Sequence, residues 1–349
     1  MKKVFKIIAS VLVVLILVLV IRTLIASGSF KSIVPHSKNP MTVIKGMVGA
    51  EDITIDRSLG KALVSADDRR MHRTEGATRS GIYLLDYKAS PPSFNNLTEN
   101  FPQTDFHPHG LSLYHDLADS TKWVFVVNHR ENGHFIEVFK FTDSTLIHQE
   151  SISDPAICSP NDVVGIGKRE FYFTNDHDTG GGIDRWKDYL MIGTGQAGHY
   201  KDGQVEIFDR ELGYSNGINV SQGGQFVVVA NSTGRDVRFY KRGTHELVGT
   251  VDCNTGLDNI ELDEQGHLWI GCHPKMLAFT AHAKKAEKRS PSQIIKIEIN
   301  PNEVSQSTIT EVYLNDGNPL SGSTVAAIDG NILLMGTVFE DGVGMLEWR

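Results

Sequence analysis

Apolar residues along most of this chain recur at every second position, in short runs broken by turns rich in glycine and aspartate, as expected of half-buried β-strands. The clearest case is Leu257-Asp258-Asn259-Ile260-Glu261-Leu262-Asp263, which alternates, turns at Glu264-Gln265-Gly266 and returns through Leu268-Trp269-Ile270. Its start is polar: Asp258 and Asn259 open the first strand with no lysine or arginine beside them. Five more units share this grammar of polar start, alternating strand, tight turn, apolar strand and a further strand. Glu51-Asp52-Ile53 leads to 62–65 and then 81–86, and His109-Gly110-Leu111 leads to 123–128 and 136–141. Asn161-Asp162-Val163 leads to 171–175 and 205–209, and Asn216-Gly217-Ile218 leads to 226–231 and 236–240. Ser323-Thr324-Val325 leads to 332–336 and 344–348.

Repeats of about 40 to 60 residues, each too small to bury both faces of its own sheet, predict an all-β, six-bladed β-propeller. A β-sandwich with long loops fits the regular order less well. In a propeller the first strand of every blade runs along the central axis in the same direction, so the polar starts meet at one mouth of the tunnel. Glu51, Asp52, His109, Asn161, Asp162, Asn216, Asp258 and Asn259 therefore form a predicted cluster of four carboxylates, three amides and an imidazole. Carboxylates held this close repel one another and are costly to bury, so the cluster calls for a cation. Mixed carboxylate and amide oxygens suit calcium; zinc prefers nitrogen and sulfur, and the single Cys272-His273 pair is a weak signal for it.

The N-terminus is a different element. Lys2, Lys3 and Lys6 precede an apolar run over 7–21, and Arg22 is followed by Leu24-Ile25-Ala26. The run reads as an uncleaved signal anchor, with secretion after cleavage as the alternative. The lysines place its start in the cytoplasm and the remainder across the membrane. The expected organisation is an anchor over 1–27, a linker over 28–41 and the propeller over 42–349. A net charge of −8 with no basic stripe gives no reason to expect nucleic acid. Three cysteines, at 158, 253 and 272, fall in separate units and read as free thiols.

Two excursions interrupt the blades. Gly180-Gly181-Gly182-Ile183 precedes Trp186, Tyr189, Leu190 and Ile192 at helix-like spacing, which reads as a surface helix or as an apolar lid over the tunnel mouth. Residues 276–290, with Lys284, Lys285, Lys288 and Arg289, read as a solvated connector.

Phe106-His107-Pro108-His109-Gly110, Val126-Val127-Asn128-His129, Pro160-Asn161-Asp162, Thr174-Asn175-Asp176-His177, Asn216-Gly217-Ile218, Asp258-Asn259-Ile260, Gly271-Cys272-His273-Pro274 and Gly336-Thr337-Val338-Phe339 resemble, in that order, the motifs of the paraoxonase/arylesterase family. The resemblance implies two calcium ions in the tunnel. The catalytic one would be held by Glu51, Asn161, Asn216, Asp258 and Asn259, and a deeper structural one by Asp52, Asp162 and the Leu111 carbonyl. It also implies a histidine dyad, His109 with His129, and places His273 and Cys272 near the pocket. Animal members join the chain ends by a disulfide; no cysteine lies near Met41 here, so closure of the ring rests on strand pairing, with 42–44 added to the last blade.

The implied chemistry is hydrolysis of lactones and aryl esters, with calcium polarising the carbonyl and His109, oriented by His129, as candidate base for water. His109 as a structural residue and Asp258 as base or nucleophile are alternatives. No Gly-x-Ser-x-Gly is present, which disfavours a serine triad. A sugar-lactone hydrolase of the gluconolactonase type needs a polar pocket, whereas Phe106, Trp186, Tyr189 and Leu190 suggest an apolar one. A membrane-tethered propeller that binds a ligand without turnover is the non-enzymatic alternative.

Overall fold

Each polar-to-apolar unit folds into an antiparallel sheet whose strands follow chain order from the inside outward, except for the outermost strand of the last. A computed structural model describes residues 2–71, 80–101, 105–179 and 184–348, and among these six four-stranded sheets form a β-propeller. The innermost strands of blades 1 to 6 are Ala50–Asp56, Pro108–Asp116, Pro160–Gly167, Ser215–Val220, Gly256–Leu262 and Ser323–Asp329. Each lies beside the next and the sixth beside the first, which closes the ring. The units read as three strands have four. In blade 3 the third strand is Gly195–Lys201, and the segment expected there, 205–209, belongs to the outermost strand Gln204–Leu212. The glycine and alanine in Gly195–Lys201 mask its alternation.

The apolar faces of the sheets bury one another at the blade boundaries. Phe125 and Val127 of blade 2 pack with Val163, Phe171 and Phe173 of blade 3. Val228 and Phe239 of blade 4 pack with Ile260 and Ile270 of blade 5. Comparable clusters occupy the other four boundaries. The core is thus six wedges around an axis, and no blade is stable without its neighbours.

Closure is made by the two ends of the chain. The strand Thr42–Val48 joins blade 6 as its outermost strand, pairing Thr42 with Met345, Val43 with Gly344 and Ile44 with Val343. The three cysteines are free thiols, and main-chain hydrogen bonds do the work of the missing cross-link. Residues 28–41 lie along the outside of blades 5 and 6, with His36 bridging to Leu314 and the Asn39 amide donating to the Glu347 carbonyl at 2.8 Å.

Helix α1, Lys2–Ala26, runs for 25 residues, ten more than the apolar run 7–21 alone. At about 1.5 Å per residue it exceeds a hydrocarbon core of about 30 Å. None of it is buried against the propeller over its most apolar window, so it is a candidate membrane span or signal anchor.

The closing strand can be tested through Ile44, which lies in the cluster between blades 1 and 6. Ile44→Ala is expected to destabilise the protein by about 2–5 kcal/mol. A denaturation midpoint equal to that of the parent would show that the seam carries no load.

Candidate active site

Closing the ring brings the polar strand starts together. Glu51, Asp52, Asn161, Asp162, Asn216, Asp258 and Asn259 are all buried at the axis. Their strands approach closely because glycine stands where a side chain would collide. A Cβ on Gly110 would lie 2.5 Å from the Asp162 Cα, and one on Gly217 2.7 Å from the Asn259 Cα. Across the ring the Asn259 amide donates to Glu51 Oε1 at 2.8 Å, and the Thr324 hydroxyl to the Glu51 carbonyl at 2.5 Å.

The donor set fits a hard cation. Among the described residues six buried side-chain oxygens have no hydrogen-bond partner, and four of them meet here: Glu51 Oε2, Asn161 Oδ1, Asn216 Oδ1 and Asn259 Oδ1. These are acceptors without donors, at a cost of about 1–3 kcal/mol each, and a cation coordinated by oxygen satisfies all of them. Deeper in the tunnel, Asp52 accepts from the Leu111 and Ile53 amides at 2.7 and 2.9 Å, and Asp162 from those of Ile218 and Val163 at 2.8 and 2.7 Å. Burial raises both carboxyl groups well above the usual range. Repulsion by Asp162 and Glu51 adds to this at Asp52, and repulsion by Glu51 and Glu261 at Asp162.

Three imidazoles line up beside the ring. His109 Nδ1 lies 2.8 Å from His129 Nε2, and His129 Nδ1 lies 2.9 Å from His134 Nδ1. The other ring nitrogen of His109 is 3.6 Å from Glu51 Oε1. His273 Nε2 bonds Asp258 Oδ2 at 2.7 Å, and its ring stacks on Phe279 with centroids 3.7 Å apart. Burial raises the Asp258 carboxyl group, against the pull of that hydrogen bond and of the His273 charge.

The residues expected in an apolar pocket separate. Phe106 is 8% exposed and packs in the core between blades 1 and 2 with Leu63 and Val126, because it precedes the inner strand on its apolar side. Trp186, Tyr189 and Leu190 lie on or just after helix α2, Asp184–Tyr189, with Trp186 69% exposed. The glycines 180–182 and Ile183 lie outside the described residues. Helix α2 is docked beside the site by charge: Asp188 pairs with His177 at 3.1 Å, and His177 meets the Tyr214 ring edge-on. Burial opposes the charge on His177, but Asp176 and Asp188 hold it protonated, up to about 10. The Tyr214 hydroxyl is pushed well above its ordinary range by Asp176, by burial, and by Asp188 and Asp258.

The expected solvated connector is instead helix α3, Met276–Lys284. Its apolar residues and His282 recur at helical spacing, His282 is fully buried, and Phe279 faces His273. Cys272 is buried in the core between blades 4 and 5, and burial raises its thiol well above the ordinary value, so it is inert packing. Several site residues carry no pattern in the sequence. His134 and Phe279 arrive from a hairpin and a helix, and Arg69, which donates to the Pro108 carbonyl at 3.0 Å, comes from a loop. Thr324 alone sits at a strand start, the signal that could have found it, although it is not among the expected cluster residues.

Fold and site together define a six-bladed propeller with an acid-rich axis, lined by unpartnered oxygens and flanked by histidines. Residues 48–343 match the arylesterase family, and the chain belongs to it. It is 31% identical over 268 residues to human serum paraoxonase/arylesterase 1, covering 74% of each chain. To human serum paraoxonase/arylesterase 2 it is 29% identical over 312 residues, covering 85% of this chain and 86% of the relative. Two solved structures share the fold: a luciferin-regenerating enzyme (TM-score 0.55, 13% identity, 88% of this chain and 94% of that one) and a putative gluconolactonase (TM-score 0.53, 14% identity, 91% and 95%).

The tunnel carboxylates give a pH dependence with a definite sign. Burial raises Glu261 from its ordinary 4.5 to about 8 in the cation-free fold. The folded state then holds a proton that the unfolded chain releases. Its contribution is full below about pH 4.5 and lost as pH rises through about 8. Chelated protein is expected to melt at progressively lower temperature from about pH 5 to 9, with Glu261→Gln flattening the trend; a midpoint that climbs over this range would contradict the assignment.

Proposed function

We propose that this chain is a membrane-anchored, calcium-dependent hydrolase of lactones and aryl esters. The observation that carries this reading is the meeting of four unpartnered buried oxygens with a histidine pair at one mouth of the tunnel. Family membership supports the carboxylic ester hydrolase class. Glu51, Asn161, Asn216, Asp258 and Asn259 would hold a catalytic calcium, and Asp52, Asp162 and the Leu111 carbonyl a structural one. Calcium in the first position supplies a Lewis acid for the substrate carbonyl oxygen.

The chain's own residues divide the remaining work. His109, donating from Nδ1 to His129 Nε2, keeps the Nε2 lone pair on the side of Glu51, where it takes the proton of the attacking water. His129 in turn donates from Nδ1 to His134, so the three rings are oriented in one direction. His273 holds the Asp258 carboxylate in place. Trp186, Tyr189 and Leu190 on the docked helix offer an apolar border for the acyl or aryl part of the substrate. Lys2, Lys3 and Lys6 keep the start of α1 in the cytoplasm, which places the propeller on the far side, in a periplasmic or extracellular space rich in calcium.

The test is hydrolysis of aliphatic, aromatic and sugar lactones and of phenyl acetate by the full chain in detergent, with calcium and after chelation. Turnover is expected to require calcium and to fall by about 10²–10³-fold or more in Asp258→Ala. It should fall by about 10²–10⁴-fold in His109→Gln, with the alkaline plateau of the pH profile lost. Calcium binding by a folded protein that hydrolyses nothing on the panel would favour a binding platform, and turnover confined to the sugar lactone would move the substrate class.

A further inference from the structure

A second cluster of ligating side chains lies away from the axis, on the face of blade 3 turned toward blade 4. His199 in the third strand of blade 3 is paired across the ladder with Glu206 in the outermost strand, so both side chains stand on one face. His245, in the turn between the outer two strands of blade 4, leans over them. One ligand atom from each of the three residues lies within 4.8 Å of the other two. His245 Nδ1 is 3.4 Å from Glu206 Oε2.

Further observations point to a ligand. The His245 side chain is only 7% exposed, yet its Nε2 has no partner. An imidazole sealed from water with a nitrogen unpaired carries an uncompensated cost that coordination removes. His245 also takes a left-handed backbone conformation, with φ of +56°, which a histidine adopts at some cost in a turn where glycine would be at ease. Glu170 Oε1 stands 3.1 Å from His199 Nε2, supplying the carboxylate that commonly orients a metal-bound imidazole. Burial lowers the pKa of His199 and keeps it neutral, the form that ligates.

Two of the three ligands are held by packing and the third is free to move. His199 stacks on Tyr172 at 4.5 Å and His245 on Phe208 at 4.6 Å. Glu206 is 65% exposed and can swing inward to bring its oxygen to bonding distance. The nearby cations are engaged elsewhere, Lys201 with Glu170 and Arg242 with the Tyr172 hydroxyl.

We propose that His199, Glu206 and His245 form a binding site for a divalent transition-metal ion of the zinc class, bridging blades 3 and 4 outside the tunnel. Two imidazoles and a carboxylate match the mixed nitrogen and oxygen donors such ions take, and differ in kind from the all-oxygen set at the axis. Bound there, the ion ties the blade 3 sheet to the turn of blade 4 and stiffens that boundary. The site is independent of the hydrolase reading.

The test uses the full chain in detergent, saturated with calcium, titrated with zinc against a chromophoric chelator. One zinc per chain is expected, with affinity falling at least tenfold in His245→Ala and in His199→Ala and unchanged in His109→Gln. Zinc should raise the thermal midpoint of the parent and not that of His245→Ala. If His245→Ala does not fold, Glu206→Gln, at an exposed position, takes its place with the same tenfold expectation. No zinc retained in competition, affinity unchanged in the folded cluster variants, or affinity lost in His109→Gln would each overturn the proposal.

Discussion

The structure turns on the crowding of oxygen atoms at the propeller axis. Asp52 and Asp162 answer main-chain amides, and Glu51 and Asn259 answer each other, but no lysine or arginine from the inner strands neutralises the ring. In a low-dielectric tunnel such a set is repulsive. The fold tolerates it because six apolar wedges hold the inner strands in place from behind. Gly110 and Gly217 let neighbouring backbones meet at distances a side chain would forbid. A ring of oxygens that suits a hard cation is thus the inside face of a packing solution, and its cost is met by the blade boundaries.

That arrangement depends in turn on closure. A ring of sheets has two free ends, and an open ring leaves the polar starts spread on an arc facing water. Pairing of 42–44 with 343–345 makes the last boundary equal to the others and lets Thr324 of blade 6 reach the Glu51 carbonyl of blade 1. The seam and the site are therefore coupled through a single hydrogen bond as well as through the shared cluster behind it. Beside the ring, the line from His109 through His129 to His134 crosses the three inner strands of blade 2, so the rigid ladder sets the orientation of the imidazoles.

Much of the site was legible because a propeller converts a sequence position into a spatial one. The polar starts of the inner strands gather at one end of the axis, and Glu51, Asn161, Asn216 and Asp258 can be grouped from sequence position alone. The pairing of 42–44 with the last blade followed from the need to cap two edges. Other residues had no such rule. Phe106 is apolar and close to His109 in sequence, which suggests a pocket, but it packs in the core between blades 1 and 2, since either side of a blade can be apolar. The segment 276–290 is rich in lysine and reads as solvated, yet its helix buries His282 and lays Phe279 on His273, because the exposed positions fall at and beyond the helix end, over 284–288.

The chain by itself determined the period, the fold class, the apolar N-terminal segment and the ring of oxygen donors, all of which follow from local alternation and its repetition. Only the tertiary structure decided which partners each donor meets. The contacts of Arg69 with Pro108 and of His245 with Glu206 are each made from a loop or turn, whose position comes from the packing of whole blades. Periodicity reports which face of a strand is buried; it says nothing of what stands opposite, because that depends on residues far away in sequence.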